Sequence, residues 1–251
     1  MSGFGGHEMN AAPLPPISRL LRATIDFYRR NLRIVLLVAF PVVAIVDVTI
    51  GAGLGELTAS VHKKLPTADG YIDIAGSALV TVPLVSSILG RAVVIERASG
   101  ERPTARRAAE EGLELFAPVL LAWILFACAV ALGLAILIAP GIYVLIAGYF
   151  VVQAVVVDGQ RGTRALRTSF AVVRGRWWYS AGVIICFGLL ERVVLVLVSA
   201  LAGLLANAVN SYAVYVVGDV VTDTAVVPFS AIGITLCYLE LRKDRGTDRP
   251  A

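Results

Sequence analysis

Long apolar runs, each about the length of a membrane-crossing helix, dominate the pattern of this chain. A bilayer core about 30 Å thick requires about 20 helical residues at about 1.5 Å each. The runs of this length cover residues 34–54, 74–95, 116–138, 142–157, 179–206 and 212–239. The third and fourth belong to one charge-free stretch, which we expect to turn back on itself at Pro140-Gly141. The pattern predicts an all-α, integral membrane fold class with six transmembrane helices arranged as three hairpins.

Shorter amphipathic segments precede the first, third and fifth of these spans. They begin near Ile17, Pro103 and Gly162, and in each one apolar residues recur at helical spacing opposite basic residues. We expect the three helices to lie in the headgroup region, each followed by a transmembrane hairpin. Two explanations stay open: the three units are related and surround a common axis, or basic linkers simply follow from hairpin insertion. The predicted apolar faces are Ile17, Leu20, Leu21, Ile25 and Tyr28; Ala108, Leu113 and Leu115; and Leu166, Phe170, Val173 and Trp177.

Composition supports a chain that folds in lipid. Of the 251 residues, 58% are hydrophobic and only 16% are charged, against about 25% charged residues in an average soluble domain. So many apolar residues exclude a disordered chain. So few polar residues argue against a soluble globule of this size, because they would not cover its surface.

The distribution of positive charge predicts the orientation of the spans. Nearly all arginines and lysines fall before the first span, between the second and third, between the fourth and fifth, or after the sixth. Cationic loops stay on the cytoplasmic side during insertion, so we expect both termini in the cytoplasm. Residues 1–16 are then a disordered cytoplasmic segment, 17–242 the membrane domain and 243–251 a cytoplasmic tail. The net charge of +4 reflects this topology and does not indicate nucleic-acid binding.

The basic and aromatic residues of the amphipathic segments predict contacts with lipid headgroups. Guanidinium groups near anionic headgroups contribute about 1 kcal/mol each, and tryptophan prefers the membrane interface. The predicted headgroup-contact residues are Arg22, Arg29, Arg30, Arg164, Arg167, Arg174, Trp177 and Trp178.

Charged side chains also interrupt the predicted spans, where each one costs about 2.5 to 3.5 kcal/mol on insertion scales. Counting helical rise from the cytoplasmic ends places them roughly 20 to 30 Å toward the outer side. In a structural interpretation they fix packing or mark the watery outer end of the last helix. In a functional interpretation Arg192 pairs with Asp47 or Asp223 in an outward-facing acidic vestibule, which admits a cation or a small amine. The predicted polar cluster is Asp47, Glu191, Arg192, Asp219, Thr222 and Asp223, with Thr224 as a further hydroxyl.

Several motifs of the second half resemble one family of bacterial membrane proteins. They are PGIY from Pro140, VVVDG ending at Gly159, ALRTS from Ala165, RGRWW from Arg174 and YLELR from Tyr238. The family is the membrane domain that some bacteria fuse to glycerophosphoryl diester phosphodiesterases, together with related stand-alone YciC-like proteins. The resemblance implies a six-helix plasma-membrane protein with no settled activity. The fused relatives carry their hydrolase in a separate soluble domain for which this chain has no room, so we do not expect that activity here.

The lack of known catalytic motifs in the sequence favours a non-catalytic role. The sequence contains no HExxH, GxSxG or GxxxxGK[ST] motif, and no metal, cofactor or catalytic residue is predicted. We expect a scaffold or accessory subunit that engages anionic lipid and a partner protein or second copy, in envelope or lipid metabolism. The alternative is a small-molecule or cation permease that uses the polar cluster; a lipid-modifying enzyme is a third, more remote candidate. A permease predicts a polar cavity past Arg192, whereas a scaffold predicts a dry centre.

Overall fold

The computed structural model describes residues 14–46, 69–209 and 212–245. This part of the chain is helical apart from short connections, so the predicted all-α class is confirmed for it. The helices are α1 (Ile17–Arg30), α2 (Leu32–Val46), α3 (Asp69–Ser99), α4 (Ala105–Glu114), α5 (Phe116–Ile136), α6 (Ile138–Gly148), α7 (Val151–Asp158), α8 (Thr163–Val173), α9 (Trp177–Val209) and α10 (Tyr212–Asp244).

Four helical segments of the described residues are long and apolar enough to cross a membrane. They are Phe116–Ile136, Ile138–Asp158, Trp177–Val198 and Val220–Asp244, and they correspond to the third to sixth predicted spans. The first predicted span begins in α2, a shorter apolar helix, and its remaining residues 47–54 lie outside the described residues. The second predicted span lies within α3, which is not among the four segments. The predicted disordered segment 1–16 and tail 243–251 also lie largely outside the described residues.

The turn between the third and fourth spans falls earlier than predicted. Leu137 is extended, with φ −162° and ψ 149°, and α6 starts at the next residue. Pro140 and Gly141 therefore lie in the first turn of α6, where a proline removes no intrahelical hydrogen bond. A side chain at position 141 would come within 2.7 Å of the Leu134 backbone nitrogen, so this glycine lets α5 and α6 approach closely. The predicted turn at Pro140-Gly141 was wrong for this reason.

The centre of the bundle is formed by α3, α7 and α10, while α5 and α9 lie at its periphery. About 61% of the span Ile138–Asp158 and 67% of Val220–Asp244 is buried, against 22% for the spans in α5 and α9. The largest fully buried side chains include Leu89, Phe150, Phe187, Ile232 and Tyr238. The outward faces of α5 and α9 expose leucine, isoleucine and valine, as expected of helices that border lipid.

The short amphipathic helices pack against the bundle through small residues as well as apolar ones. Helix α1 packs on α10, α4 on α3 and α8 on α7. The apolar residues of the predicted faces are divided between protein and surface, since Leu20 is buried but Ile25 and Leu113 are exposed. The positions buried by these contacts are Leu20, Thr24 and Phe27 in α1, Ala108 and Gly112 in α4, and Ala165, Ser169, Val172 and Val173 in α8.

Candidate functional site

One end of the bundle carries a layer of ion pairs between helices that are distant in sequence. We call it the basic end: α3, α7 and α10 finish there and α9 begins there. Most of these pairs join two different helices, so they hold the ends of the helices in register. The pairs are Arg30 with Glu96, Arg91 and Arg107 with Glu111, Arg242 with Asp158, and Arg176 with Asp244.

Asp158 links α7 to α10 at the basic end. Its Oδ1 lies 2.9 Å from Arg242 Nε in an ion pair, and its Oδ2 accepts a hydrogen bond from the Tyr238 hydroxyl. Gly159, with φ 65°, follows in the left-handed conformation that commonly ends a helix. Asp158 thus sits at the last residue of α7 with both carboxylate oxygens engaged by α10.

Glu111 links α4 to α3 in the same layer. It accepts hydrogen bonds from Arg91 Nε at 3.1 Å and Arg107 Nε at 2.9 Å. These two guanidinium groups, Arg91 before Arg107, hold the pKa of the Glu111 carboxyl below its usual range. Arg91 also donates from Nη1 to the Val156 carbonyl oxygen at 3.2 Å, so one side chain ties α3, α4 and α7 together.

The predicted headgroup-contact arginines lie on the surface of the bundle. Arg22, Arg29, Arg30, Arg164, Arg167 and Arg174 are all exposed. Within residues 14–46, 69–209 and 212–245, only Arg30 of these six has an acidic partner, Glu96 at 3.1 Å. Trp178 is 83% exposed, whereas Trp177 is half-buried and its ring stacks on Tyr143 at a centroid distance of 6.2 Å.

A partly open cavity of about 210 Å³ lies between the helices, away from the basic end; of its charged lining residues, Glu191 is half-buried and Arg192 is exposed. Helices α3, α5, α7, α9 and α10 and the α6–α7 junction contribute its walls. Glu191 and Arg192 lie about 21 Å along α9 from Trp177, and Gln153 lies about 7.5 Å along α7 from Asp158. Measured along these helices, the cavity lining therefore extends from about 7.5 to about 21 Å from the basic end. Its polar lining residues are Ser86, Gln153, Glu191, Arg192 and Ser230, and two aromatic residues, Trp123 and Tyr149, complete the wall.

The polar groups of the cavity are only partly satisfied by the protein. Ser230 Oγ donates to Glu191 Oε2 at 2.8 Å. Gln153 is 4% exposed and its Oε1 has no hydrogen-bond partner. In the part of the chain that the structure describes, neither Glu191 nor Arg192 forms an ion pair. Adjacent residues on a helix point about 100° apart, so the two charges do not neutralise each other by contact.

The structure brings together part of the predicted polar cluster. Glu191 and Arg192 both line the cavity; of the two predicted partners of Arg192, Asp223 forms no ion pair with it within the described residues, and Asp47 lies outside them. Thr222 is buried and donates to the Gly218 carbonyl oxygen at 2.7 Å, which is a local bond within α10. The half-buried Asp223 and the buried Thr224 do not line the cavity either. Asp47 and the side chain of Asp219 lie outside the described residues.

The sequence interpretation missed Ser86, Gln153 and Ser230, which complete the lining. Gln153 carried a signal, because an amide side chain interrupts the apolar run FVVQAVVV just before Asp158. The two serines carried none, since serine is tolerated in membrane helices by bonding to its own backbone.

No group of three or more histidine, cysteine or acidic residues that could hold a metal occurs within the described ranges. Comparison of the chain with family models, curated proteins and solved structures finds no match, so the resemblance of its motifs to the phosphodiesterase-associated membrane domain stays a prediction.

Proposed function

We propose that this chain is a non-catalytic, multi-pass protein of a bacterial plasma membrane that engages anionic lipid at its basic end. In this proposal it has six spans, the basic end faces the cytoplasm, and the protein acts as a scaffold or accessory subunit for a partner or a second copy. The observation that carries the proposal is the set of exposed arginines on α1 and α8 that have no acidic partner within the described residues, beside the exposed Trp178.

The two kinds of arginine at the basic end support separate roles. Arg91, Arg176 and Arg242 are partly buried and bind carboxylates, so they hold helices together. Arg164 and Arg167 are exposed without such partners, and bidentate guanidinium groups bind phosphate oxygens well. Each such group near an anionic headgroup contributes about 1 kcal/mol.

A concentration of like charge near the end of α8 favours the same ligand. Burial lowers the pKa of Arg245, and the guanidinium groups of Arg174 and Arg176 lower it further, whereas Asp244 raises it. Clustered cations of this kind are stabilised by an incoming anion. A phosphate headgroup at this position would relieve the repulsion.

Lipid retention in mixed nanodiscs tests the proposal. The full chain is placed in equal phosphatidylglycerol and phosphatidylcholine, and co-purified lipid is measured by native mass spectrometry. We expect enrichment of phosphatidylglycerol, and loss of that enrichment when Arg164, Arg167 and Arg174 are all replaced by Gln. Replacement of the same three by Lys should keep most of it because the charge remains.

The matched control is Arg106→Gln. Arg106 is equally exposed, but its Nε already binds Glu110 at 2.7 Å, so lipid enrichment should not change. Equal enrichment of both lipids by the unaltered chain would overturn the proposal. Labelling of a C-terminal tag from outside intact cells would overturn the orientation and, with it, the proposed family membership.

A second candidate function, permeation of a small solute, is favoured by the internal cavity. A scaffold needs no polar space at mid-membrane, yet Glu191, Arg192 and Gln153 line one. Uptake of labelled solutes into proteoliposomes tests this candidate separately from lipid retention.

A further inference from the structure

We infer that the partly open cavity between the helices is a binding site for a small zwitterion, a molecule with a separate ammonium and carboxylate group. The inference is independent of lipid binding. It deepens the second candidate function, permeation of a small solute, and rests on that function only for the path by which the ligand reaches the cavity.

The charges of the cavity define the chemistry of the ligand. Glu191 and Arg192 line the same space with opposite formal charge, and within the described residues neither has an ionic partner. A cation alone would satisfy Glu191 but meet the guanidinium of Arg192, and an anion alone would meet the carboxylate. A zwitterion places its ammonium toward Glu191 and its carboxylate toward Arg192, so each of the two charges meets one of opposite sign.

The hydrogen-bonding capacity of the wall points to the same ligand. Gln153 Oε1 has no donor, and the Glu191 carboxylate accepts only from Ser230 Oγ at 2.8 Å. A carboxylate has about four lone-pair sites, so acceptor capacity remains for a ligand with several N–H donors. A primary ammonium has three, which makes it a better match than a hydroxyl or a tertiary amine.

The size of the cavity sets the scale of the ligand. Its volume of about 210 Å³ exceeds the roughly 150 Å³ that accommodates benzene in an engineered protein cavity. Trp123 and Tyr149 provide apolar wall for a short carbon chain between the two charged groups. A cavity of this kind that bound no ligand would hold several waters, which is the outcome the experiment has to separate from binding.

Four probes of equal chain length separate the contributions of the two charges. They are 4-aminobutyrate, n-butylammonium, butyrate and 1-butanol, titrated calorimetrically into the full chain in nanodiscs of neutral lipid. We expect 4-aminobutyrate to bind at least about tenfold more tightly than the other three, since each lost charged hydrogen bond is worth about a factor of ten.

Variants assign each charge of the probe to its residue. Glu191→Gln should weaken 4-aminobutyrate at least about tenfold while butyrate binds no worse, and Arg192→Gln should weaken it similarly while n-butylammonium binds no worse. Thr222→Val is the matched control, because Thr222 is a buried polar residue of α10 that does not line the cavity. It should leave all four affinities unchanged.

A steric variant keeps the test informative if a charge variant fails to fold. Gly188 lines the cavity, and a Cβ built on it has no heavy atom within 4 Å. Gly188→Leu should therefore fold, fill the space and abolish 4-aminobutyrate binding. Retained binding in this variant would place the probe elsewhere and overturn the inference.

The remaining outcomes are also decisive. Equal affinity for n-butylammonium and 4-aminobutyrate, or no binding of any probe at 100-fold excess over protein, would overturn the inference and leave a water-filled cavity. Binding of 4-aminobutyrate without its uptake by proteoliposomes would support the site and contradict permeation. Uptake of a different solute without binding of 4-aminobutyrate would support permeation and contradict the zwitterion.

Discussion

The basic end and the cavity differ in how completely their charged side chains are paired within the protein. At the basic end Asp158 engages both Arg242 and Tyr238, and Glu111 accepts from two guanidinium groups. In the cavity the Glu191 carboxylate accepts from a single serine hydroxyl within the described residues. Neighbouring side chains thus engage the carboxylates of the basic end from two sides, whereas the Glu191 carboxylate keeps unused acceptor capacity.

The paired charges of the basic end are suited to stabilising the fold, whereas those of the cavity are suited to binding a ligand. Charges that are fully paired fix the register of helices, and removing one partner leaves the other buried and costly. Charges that are left without protein partners in a roomy, polar space are available to a ligand. The two regions should therefore respond to mutation with opposite signs.

The largest effect is expected from Asp158→Ala. It removes the partner of Tyr238 and one partner of Arg242, and we expect the free energy of unfolding to fall by about 3 kcal/mol. Reversible unfolding in mixed detergent and dodecyl sulfate micelles measures it. Glu110→Gln is the control, because Arg106 and Glu110 are 88% and 60% exposed and such surface pairs contribute at most about 1 kcal/mol. An equal loss in both variants would mean that the pairs of the basic end are ordinary surface pairs.

A somewhat smaller loss is expected from Gly112→Ala, which tests the packing under the ion pairs. A Cβ on Gly112 would come within 2.5 Å of Ile88 Cα. This contact would push α4 away from α3, and the displacement would strain the ion pairs of Glu111. We expect the free energy of unfolding to fall by about 1 to 2 kcal/mol, because the cost of overpacking exceeds the free energy gained from the higher helix propensity of alanine. Gly182→Ala is the control, because its Cβ meets only Ile17 Cδ1 at an ordinary 3.5 Å. That variant should be neutral or slightly more stable.

Local patterns predicted the helices better than they predicted the contacts. The apolar runs located the spans that begin at Phe116 and near Trp177, because hydrophobic length is a property of contiguous residues. The turn at Leu137 was missed because proline interrupts a helix only where it removes an intrahelical hydrogen bond. Pro140 lies in the first turn of α6, where no such bond is lost, so it did not mark the end of a helix.

Long-range pairing was not visible in the sequence. Asp158 and Arg242 lie on different helices far apart in the chain, and nothing local indicates that one binds the other. Helical rise did predict that Glu191 and Arg192 lie about 20 Å along their helix from its first residues. It could not decide between Asp47 and Asp223 as the partner of Arg192, because helical rise does not state which face of a helix meets which neighbour.

Removing a polar side chain from the cavity should raise the free energy of unfolding, whereas removing one from the basic end lowers it. Gln153→Leu replaces an amide with an unpartnered oxygen by an apolar side chain of similar size, so we expect the free energy of unfolding to rise, by up to about 1 kcal/mol. The same unfolding experiment measures it. Ser230→Ala provides the contrast, because it removes a hydrogen bond that is made, to Glu191, and should lower stability slightly. A loss on Gln153→Leu as large as that of Asp158→Ala would show that the amide has a structural partner and would erase the difference between the regions.

The smallest effect concerns the pH dependence of the α3–α4 link. Because Arg91 and then Arg107 lower the pKa of Glu111 in the folded state, the carboxylate stabilises the fold at every pH above its ordinary value of 4.5. That contribution is lost only as the pH falls below 4.5 and through the lower folded-state pKa. It is at most about 1 kcal/mol, since Glu111 is 28% exposed and Arg107 62%. We therefore expect the unfolding midpoints of the unaltered chain and Glu111→Gln to differ by a constant amount from pH 7 to 5 and to converge below pH 4.5. Convergence already above pH 5 would show that the two arginines do not hold this carboxylate, and the basic end would then be no better paired than the cavity.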